Sequence, residues 1–168
     1  MRIRAVEVSD AAQFLQLSQT LDRESTFMLY EPGERQLTID EQKEALQSIV
    51  EDTSKHLIVA EDGETLVGFV MVIGNGLKRI SHRAAIVIGI LSAYQGKGLG
   101  RKLLAAAEKK AKESGVHRLE LTVMAQNKRA LWLYSRSGFN VEGIRRKAIK
   151  LEESFMDEFY MSKMISTE

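Results

Sequence analysis

One short segment has residue types and spacing suited to holding a phosphate group: Gln95 followed by Gly96, Gly98 and Gly100. Because glycine has no Cβ, the backbone N–H groups around it can approach a ligand closely. An apolar run precedes the segment and a helical pattern follows it. The first N–H groups of a helix have no intrahelical partner, and the helix dipole adds positive potential there. The sequence therefore predicts a phosphate-binding loop between a strand and a helix.

The hydrophobic pattern defines the two elements that flank this loop. Residues 86–91 form a short apolar run rich in β-branched residues, which is typical of a buried strand. Leu99, Leu103, Ala107 and Ala111 recur every four residues and predict one buried helical stripe. The loop is thus placed between a core strand and an amphipathic helix.

The rest of the chain alternates helical and extended patterns. Helices are expected after Ser9-Asp10, after Thr38 with a buried stripe of Ile39, Leu46, Ile49 and Val50, and over 128–137. The other strands are expected at 3–8, 56–60, 65–73, 118–123, 139–141, 143–148 and 159–164, and a long loop at 22–38. The order β-α-α-β-β-β-α-β-α-β-β predicts one α/β domain over residues 1–168. Its hairpins favour a mixed central sheet with helices on both faces over a doubly wound parallel sheet.

Composition excludes several kinds of function. The net charge of +1 gives no reason to expect nucleic acid or an anionic membrane as a partner. The chain has no cysteine, which excludes disulfides, thiolate metal sites and a cysteine nucleophile, and we expect no metal. No signal region or apolar run of about 20 residues is present, so we expect a soluble cytoplasmic protein.

Two common phosphate motifs do not fit the loop. A Walker A motif needs Gly-Lys followed by Ser or Thr, but Gly100 is followed by Arg101 and Lys102. A dinucleotide fingerprint that begins at Gly96 and Gly98 needs a third glycine where Arg101 stands. The loop is therefore predicted to bind a different phosphate ligand.

Two patterns together resemble those of the GNAT superfamily of acyl-CoA-dependent N-acyltransferases. The first is Gln-x-x-Gly-x-Gly, and the second is Asn-x-x-Ala-x-x-x-Tyr followed by Gly-Phe. The residues that carry them are Gln95, Gly98, Gly100, Asn127, Ala130, Tyr134, Gly138 and Phe139. The resemblance covers nearly the whole chain and implies the single-domain GNAT fold, with acetyl-CoA as co-substrate.

The resemblance also assigns residues to acetyl-CoA. Its pantetheine arm would lie between two parallel strands and pair with their backbone, as an added strand would. The backbone contacts would come from Ile88, Ile90 and Leu91, and Asn127 and Ala130 would lie along the arm. The pyrophosphate would contact Gln95, Gly96, Lys97, Gly98, Leu99, Gly100 and Arg101.

Catalytic roles follow from the same resemblance. Tyr134 would donate a hydrogen bond or a proton to the departing thiolate, and the N–H of Ile90 or Leu91 would stabilise the oxyanion. Glu120 is the candidate base, acting directly or through water. Relatives that acetylate protein N-termini often have a glutamate where this chain has Thr122, which weakens a direct role for Glu120. The alternative is that Glu120 is an ordinary exposed strand residue.

The acceptor is expected to be a primary amine that attacks directly in a ternary complex. The acceptor groove would lie between residues 22–38 and 145–158, where acidic and aromatic side chains suit a cation. These residues are Asp22, Glu24, Tyr30, Glu31, Glu152, Glu153, Phe155 and Asp157. The amine could belong to a small molecule, a protein N-terminus or a lysine. A CoA-binding sensor or partner module without turnover is a separate alternative. Dimerisation is common in this fold, so a homodimer is an expectation without a sequence feature that specifies it.

Overall fold

A seven-stranded mixed sheet with helices on both faces forms the protein, in a computed structural model that describes residues 1–165. The strands are β1 (Arg2–Ala5), β2 (Lys55–Asp62), β3 (Thr65–Ile73), β4 (Arg83–Ile90), β5 (Arg118–Met124), β6 (Asn140–Leu151) and β7 (Ser154–Met164). The helices are α1 (Ala11–Glu24), α2 (Ile39–Glu51), α3 (Leu99–Glu113) and α4 (Lys128–Arg136). Short 3-10 turns cover Val8–Asp10, Lys78–Ile80 and Ser92–Tyr94. The predicted element order and fold class are confirmed.

The strands lie in the order β1-β2-β3-β4-β5-β7-β6. All neighbours are antiparallel except β4 and β5, which are parallel. Since α3 connects these two parallel strands, it crosses over one face of the sheet, as such connections generally do. The loop before α3 therefore lies at the carboxyl end of β4, beside β5.

Two hydrophobic clusters lie on opposite faces of this sheet. One contains the predicted stripe of α3 together with Leu119, Leu121 and Tyr134. The other joins α1 and α2 to the sheet through Leu17, Leu21, Leu46 and Phe69. Burying both faces explains why the central strands are apolar on both sides.

The predicted stripe of α2 is partly wrong. Thr38 caps the helix as expected, because its hydroxyl accepts the N–H of Glu41 at 3.2 Å. Leu46 is fully buried, but Ile39 is 48% and Val50 is 53% exposed. The buried residues of α2 are Gln42 and Leu46, a narrow stripe. Helical spacing predicts which residues lie on one face of a helix, but it does not predict how much of that face the neighbouring elements bury.

The ends of the chain also differ from the prediction. β1 stops at Ala5, because Asp10 accepts the N–H of Glu7 at 2.8 Å and starts a turn there. The segments predicted at 139–141 and 143–148 form one strand, β6, with two irregularities in its register. β7 begins at Ser154, five residues before the predicted start. Pairing between β6 and β7 along a long hairpin holds polar residues in extended conformation, although the hydrophobic pattern of these residues does not indicate a strand.

Candidate active site

The strands β4 and β5 separate at the end where the phosphate-binding loop begins. Their pairing is limited to Arg83 with Arg118, Ala84 with Leu119, and Ala85 with Glu120. Beyond Ala85 each strand stays paired with its outer neighbour, β3 or β7. The facing edges of β4 and β5 therefore enclose a gap in the sheet, which we call the β4–β5 gap.

The register of β4 decides which of its backbone groups face this gap. Leu91 donates its N–H to the carbonyl of Val67 at 3.0 Å, so it is bonded toward β3. In an antiparallel ladder, alternate residues point their N–H and C=O groups to opposite edges. Ile88 and Ile90 therefore face the gap, as predicted for pantetheine contacts. The carbonyl of Leu91 is also occupied, by the N–H of Tyr94 at 2.9 Å. The ligand contact through the backbone of Leu91 stays a prediction, for which only a second bond to its carbonyl oxygen is left.

The opposite edge of the gap comes from β5, the second of the two parallel strands that the resemblance implies, although no backbone contact was predicted for its residues. Ala125 donates its N–H to the carbonyl of Asp157 at 2.9 Å, so odd-numbered residues of β5 bond toward β7. Thr122 and Met124 therefore direct their backbone groups into the gap. The signal for this edge is tertiary, because it depends on the pairing of β5 with a strand about 40 residues later.

The phosphate-binding loop ends at an uncapped helix N-terminus. Gly96 and Gly98 have positive φ angles of 74° and 82°, which suit glycine, and no atom lies within 4 Å of a Cβ placed on either. Gly98 is the N-cap of α3 and offers no side-chain acceptor. The N–H of Lys102 donates to the carbonyl of Gly98 at 3.3 Å, so the N–H groups of residues 99–101 precede it without intrahelical partners. These groups can bind an anion, as predicted.

Gly100 has a different role from the other two glycines. A Cβ on Gly100 would lie 2.8 Å from a methyl group of Leu133 on α4. Its lack of a side chain therefore allows α3 and α4 to pack closely. The sequence prediction that Gly100 serves ligand approach is incomplete for this reason.

The side chain of Gln95 ties the loop to its surroundings. Its Nε2 donates to the carbonyl of Ile90 at 2.8 Å, and its Oε1 accepts a hydrogen bond from Arg129 on α4. Arg129 was not among the predicted site residues. Gln95 thus fixes the end of β4 against the first turn of α4, which explains why a glutamine suits this position.

Three cations surround the loop. Lys97, Arg101 and Lys102 are exposed and form no ion pair with any carboxylate of residues 1–165. The ammonium of Lys97 lies 5.6 Å from the ring centre of Tyr94. Their charge adds to the potential of the α3 dipole. The surroundings of Lys97 and Arg101 are compatible with phosphate contacts.

The start of α4 lies beside the same gap. Asn127 caps this helix, because its Oδ1 accepts the N–H of Ala130 at 3.1 Å. Ala130 is partly buried and packs on the same core cluster as Ile88 and Ile90. The predicted contacts of Asn127 and Ala130 with pantetheine remain predictions, and the amide nitrogen of Asn127 is the atom that could make one.

Tyr134 is buried on α4, with 7% of its surface exposed. Its ring packs against Phe139, with the ring centres 5.8 Å apart. Burial raises the pKa of Tyr134 to about 12, and it is the only cause of the shift. No hydrogen bond from another described residue therefore holds this hydroxyl. No side-chain oxygen of residues 1–165 is buried without a hydrogen-bond partner, so the unbonded hydroxyl reaches the surface, where a ligand can accept its hydrogen bond.

Glu120 approaches the gap from the opposite face of the sheet. Leu119 and Leu121 belong to the cluster that contains Tyr134, so the intervening side chain points the other way. The Glu120 carboxylate lies 3.0 Å from Nε of Arg118 and 3.5 Å from Arg83. It also hydrogen-bonds Tyr160 and raises the pKa of that tyrosine, after the larger effect of burial. Accepting a proton would cost Glu120 two ion pairs.

Several acidic residues of the predicted acceptor groove already bind protein groups. Arg35 donates to the Asp22 carboxylate from Nε at 2.7 Å and Nη2 at 3.3 Å, and stacks on Tyr30 at 4.2 Å. The Asp22 side chain is only 1% exposed, so its charge is not available to a ligand. Asp157 accepts the N–H of Lys147 at 2.8 Å. Glu31, Glu152, Glu153 and Phe155 remain exposed.

One contact links the acceptor side to the phosphate-binding loop. The carboxylate of Glu24, at the end of α1, accepts the N–H of Ser92 at 2.8 Å. Ser92 begins the turn that leads from β4 into Gln95. The sequence carries no signal for this contact, because the two residues are 68 positions apart.

The described part of the chain has neither a metal-binding cluster nor a membrane-spanning helix. Residues 1–165 contain no cluster of three or more His, Cys, Asp or Glu side chains arranged to hold a metal ion. None of the helices in that range has the length and apolar character needed to cross a membrane.

The chain is similar to known proteins in its sequence and in its fold. A family model described as the acetyltransferase (GNAT) family matches residues 17–139. The crystal structure of an acetyltransferase of the GNAT family from Streptococcus pneumoniae is similar, with a TM-score of 0.93 and 30% identity. That comparison covers 98% of this chain and 99% of the other.

Two curated relatives are similar in sequence. Spermidine N(1)-acetyltransferase from Vibrio cholerae is 29% identical over 145 residues, covering 85% of this chain and 80% of the relative. N-alpha-acetyltransferase RimI from Mycobacterium tuberculosis is 36% identical over 92 residues, covering 55% and 56%. In three curated relatives the match covers 62%, 36% and 56% of the relative's own length. The shared segment is therefore only part of those three proteins.

Proposed function

Since the chain belongs to the acetyltransferase (GNAT) family, we propose that it transfers an acetyl group from acetyl-CoA to a primary amine by direct attack in a ternary complex. The observation that carries this proposal is the β4–β5 gap, with its free backbone edges, beside the uncapped N-terminus of α3. The two features match the two parts of the donor. The gap suits the amides of pantetheine, and the helix N-terminus suits a pyrophosphate.

The edges of the gap would hold the pantetheine arm. Ile88 and Ile90 on one side, and Thr122 on the other, offer backbone groups at strand spacing. Met124 offers its N–H, because its carbonyl accepts the N–H of Asn127 at 2.9 Å. The carbonyl of Ile90 is already bound by Gln95, so its N–H is the group left for a ligand. We assign the oxyanion contact to this N–H, because that of Leu91 is bonded to β3.

In the transfer step, a bond forms between the amine nitrogen and the acetyl carbon while the carbon–sulfur bond breaks. The amine loses a proton and the departing sulfur gains one. With the pKa of Tyr134 raised to about 12 and a thiol pKa near ~8.5, full transfer from the phenol is uphill by roughly 5 kcal/mol. Tyr134 therefore acts as a hydrogen-bond donor to the sulfur. The neutral amine attacks, and the proton that the sulfur gains comes from the amine nitrogen after it has bonded to the acetyl carbon.

Glu120 is retained as the proposed base for a different proton, the one that a protonated amine must lose before it can attack. Its carboxylate is held by Arg118 and Arg83 and joined to the Tyr160 hydroxyl. This pairing favours a water between Glu120 and the amine over direct contact, because the carboxylate then keeps its ion pairs. A Glu120→Gln variant would keep the shape and lose the basicity.

The acceptor class is open between two kinds of amine. One curated relative is named for spermidine and another for a protein N-terminal amine. The ion pair of Asp22 with Arg35 removes one of the charges expected to attract a polycation. We therefore include uncharged and zwitterionic amines beside polyamines.

The experiment is a thiol-release assay with acetyl-CoA and a panel of acceptors. The panel contains polyamines, amino acids, aminoglycosides and short peptides with free N-termini or lysines. Release above hydrolysis with one acceptor class, and mass spectrometry showing the acetylated amine, supports the proposal. Binding of CoA without release for any acceptor supports a sensor or partner module instead. Absence of CoA binding contradicts both.

A further inference from the structure

The β4–β5 gap is accessible from one face of the sheet. On the face of α3 and α4 it borders the apolar cluster that contains Leu121, Val123 and Tyr134. On the other face, the cluster under α1 and α2 includes residues of β2 and β3 but, in the described part of the chain, none of β5 or β7. Val87 is 44% exposed there, and Thr122 is exposed as well. An amine can therefore reach a thioester in the gap from this second face, which we call the open face.

Tyr160 lies on the open face, beside the gap. Its neighbours in β7, Phe159 and Met161, pack in the cluster of α3, so the side chain of Tyr160 points the other way. Its partner in β5 is Thr122, whose backbone borders the gap just beyond the last paired residues of β4 and β5. Because the pantetheine arm would lead from the phosphate-binding loop toward that end of the gap, its thioester comes toward Tyr160.

The hydroxyl of Tyr160 donates a hydrogen bond to the Glu120 carboxylate. This carboxylate is itself held by Arg118 at 3.0 Å and by Arg83 at 3.5 Å. Burial and, after it, the charge of Glu120 raise the pKa of Tyr160, so the phenol keeps its proton and remains the donor. Since a hydroxyl oxygen can also accept, its lone pairs are available to an N–H group on the open face.

A hydrogen bond from the acceptor nitrogen to Tyr160 would strengthen during the transfer. The nitrogen becomes positively charged as it bonds to the acetyl carbon, and charged N–H groups are the stronger donors. The phenol oxygen is a better acceptor while its proton is held by Glu120, because linked hydrogen bonds polarise one another. An interaction that is stronger in the transition state than in the bound substrate raises kcat.

A primary amine has the two N–H groups that this arrangement needs. After the nitrogen has bonded to the acetyl carbon, one N–H proton goes to the departing sulfur as the carbon–sulfur bond breaks. The other N–H stays on the nitrogen in the amide product and can donate to Tyr160 throughout. A secondary amine has a single N–H at the same stage, and the sulfur takes its proton. The number of N–H groups therefore separates the two classes of acceptor at Tyr160.

We propose that the hydroxyl of Tyr160, held by Glu120, accepts a hydrogen bond from the acceptor nitrogen and makes the protein selective for primary over secondary amines. Tyr160 is then a specificity-determining residue on the acceptor side. This inference rests on the proposed function, because it needs direct attack of an amine on acetyl-CoA.

The test compares primary amines with their N-methyl derivatives in the thiol-release assay. The pairs are alanine with N-methylalanine, an alanyl peptide with its N-methyl form, and putrescine with N,N′-dimethylputrescine. Tyr160→Phe should lower kcat for the primary amine by about tenfold, the effect of one hydrogen bond to a charged group, and leave its KM nearly unchanged. The ratio of kcat for the primary amine to kcat for its derivative should fall by a similar factor, and the Kd for CoA should stay the same. An effect of the lost bond on Glu120 would alter both acceptors alike, so the ratio isolates the contact with nitrogen.

The matched control is Ser162→Ala. Ser162 follows Tyr160 by two residues on the same face of β7, and its hydroxyl donates to Glu142, which Arg118 also binds. It belongs to the same network of charged groups but is paired with Glu120, where β5 is still bonded to β4. Its replacement should leave the ratio of the two kcat values unchanged.

The outcomes separate this inference from the proposed function. Turnover in which Tyr160→Phe keeps the ratio of the unaltered protein overturns the Tyr160 contact and leaves the proposed transfer intact. An equal fall of the ratio in Ser162→Ala also overturns it, because the network as a whole would then be the cause. Where an N-methyl form gives no release, a loss in KM instead of kcat for the primary amine overturns the contact. No release with any acceptor contradicts the proposed function and the inference together. Thermal unfolding of each variant shows whether a changed kcat comes from a folded protein.

Discussion

Tyr134 and Glu120 illustrate how differently two predicted catalytic residues are placed. The hydroxyl of Tyr134 has no partner in the described chain, and the Glu120 carboxylate has three. A free hydroxyl is ready to donate to a departing sulfur. The Glu120 carboxylate is already held by Arg118, Arg83 and the Tyr160 hydroxyl. The structure therefore favours a direct part in the reaction for Tyr134 more than for Glu120.

We expect Tyr134→Phe to lower kcat by about tenfold to hundredfold, with little change in the Kd for CoA. Its pKa of about 12 keeps the phenol protonated through the working range, so kcat should not fall between about pH 7 and pH 10. The rise of kcat/KM with pH should follow deprotonation of the acceptor amine in both proteins. Steady-state kinetics across this range test the prediction.

The matched control is Tyr94→Phe, which removes a hydroxyl that donates to Asp62 at 3.0 Å. It should leave kcat unchanged. If Tyr134→Phe turns over as fast as the unaltered enzyme, the residue has no part in thiolate release.

At the scale of elements, α3 serves the site through its two ends. Its N-terminus has a glycine cap at positive φ and no side-chain acceptor, whereas α2 and α4 are capped by Thr38 and Asn127. Its first turn packs against α4 at Gly100. Packing against α4 thus fixes the position of α3, while the N–H groups at its N-terminus have no side-chain acceptor. An anion site needs both conditions.

We expect Gly98→Val to weaken CoA binding by about tenfold or more, because a side chain would stand at the helix N-terminus. Gly115→Val is the control, since Gly115 has a similar φ of 73° at the opposite end of α3. Both substitutions should lower stability, because β-branched residues disfavour positive φ. Calorimetric Kd values and thermal unfolding separate the two effects. Equal Kd values for both variants would contradict the assignment of the loop.

Across the whole molecule, one buried ion pair and one hydrogen bond connect residues 22–38, the predicted acceptor loop, to the rest of the fold. Arg35, in the loop before α2, binds Asp22 on α1 and stacks on Tyr30. Glu24 then joins the end of α1 to Ser92, at the entrance to the phosphate-binding loop. Residues 22–38 are thus linked through α1 to the turn that leads from β4 into Gln95.

We expect Arg35→Met to lower the free energy of unfolding by about 3–5 kcal/mol, because it leaves the Asp22 carboxylate buried without a partner. The double variant Asp22→Leu/Arg35→Met should recover most of this loss, since it removes the charge as well. Chemical denaturation of the single and double variants measures both values. Losses that simply add would show that the carboxylate does not depend on Arg35.

The sequence by itself determined the order of elements, the glycine-rich loop before α3 and the cap of α2. These features depend on local rules: hydrophobic spacing, glycine conformation and side-chain capping within a few residues. The stripe of α3 was predicted correctly because all of its members face one well-covered cluster. The resemblance of Gln95, Asn127 and Tyr134 to a family pattern added acetyl-CoA as the expected donor and a proposed role for each residue, which local rules do not contain.

Only the tertiary structure decided how the predicted residues are used. It separated Ile90, which faces the gap, from Leu91, which is bonded to Val67, because that choice depends on strand register. It showed that Asp22 pairs with Arg35 and that Gly100 packs against Leu133, and both contacts join different elements. Such pairings depend on which segments meet in space, and the spacing of residues along the chain carries no information about that.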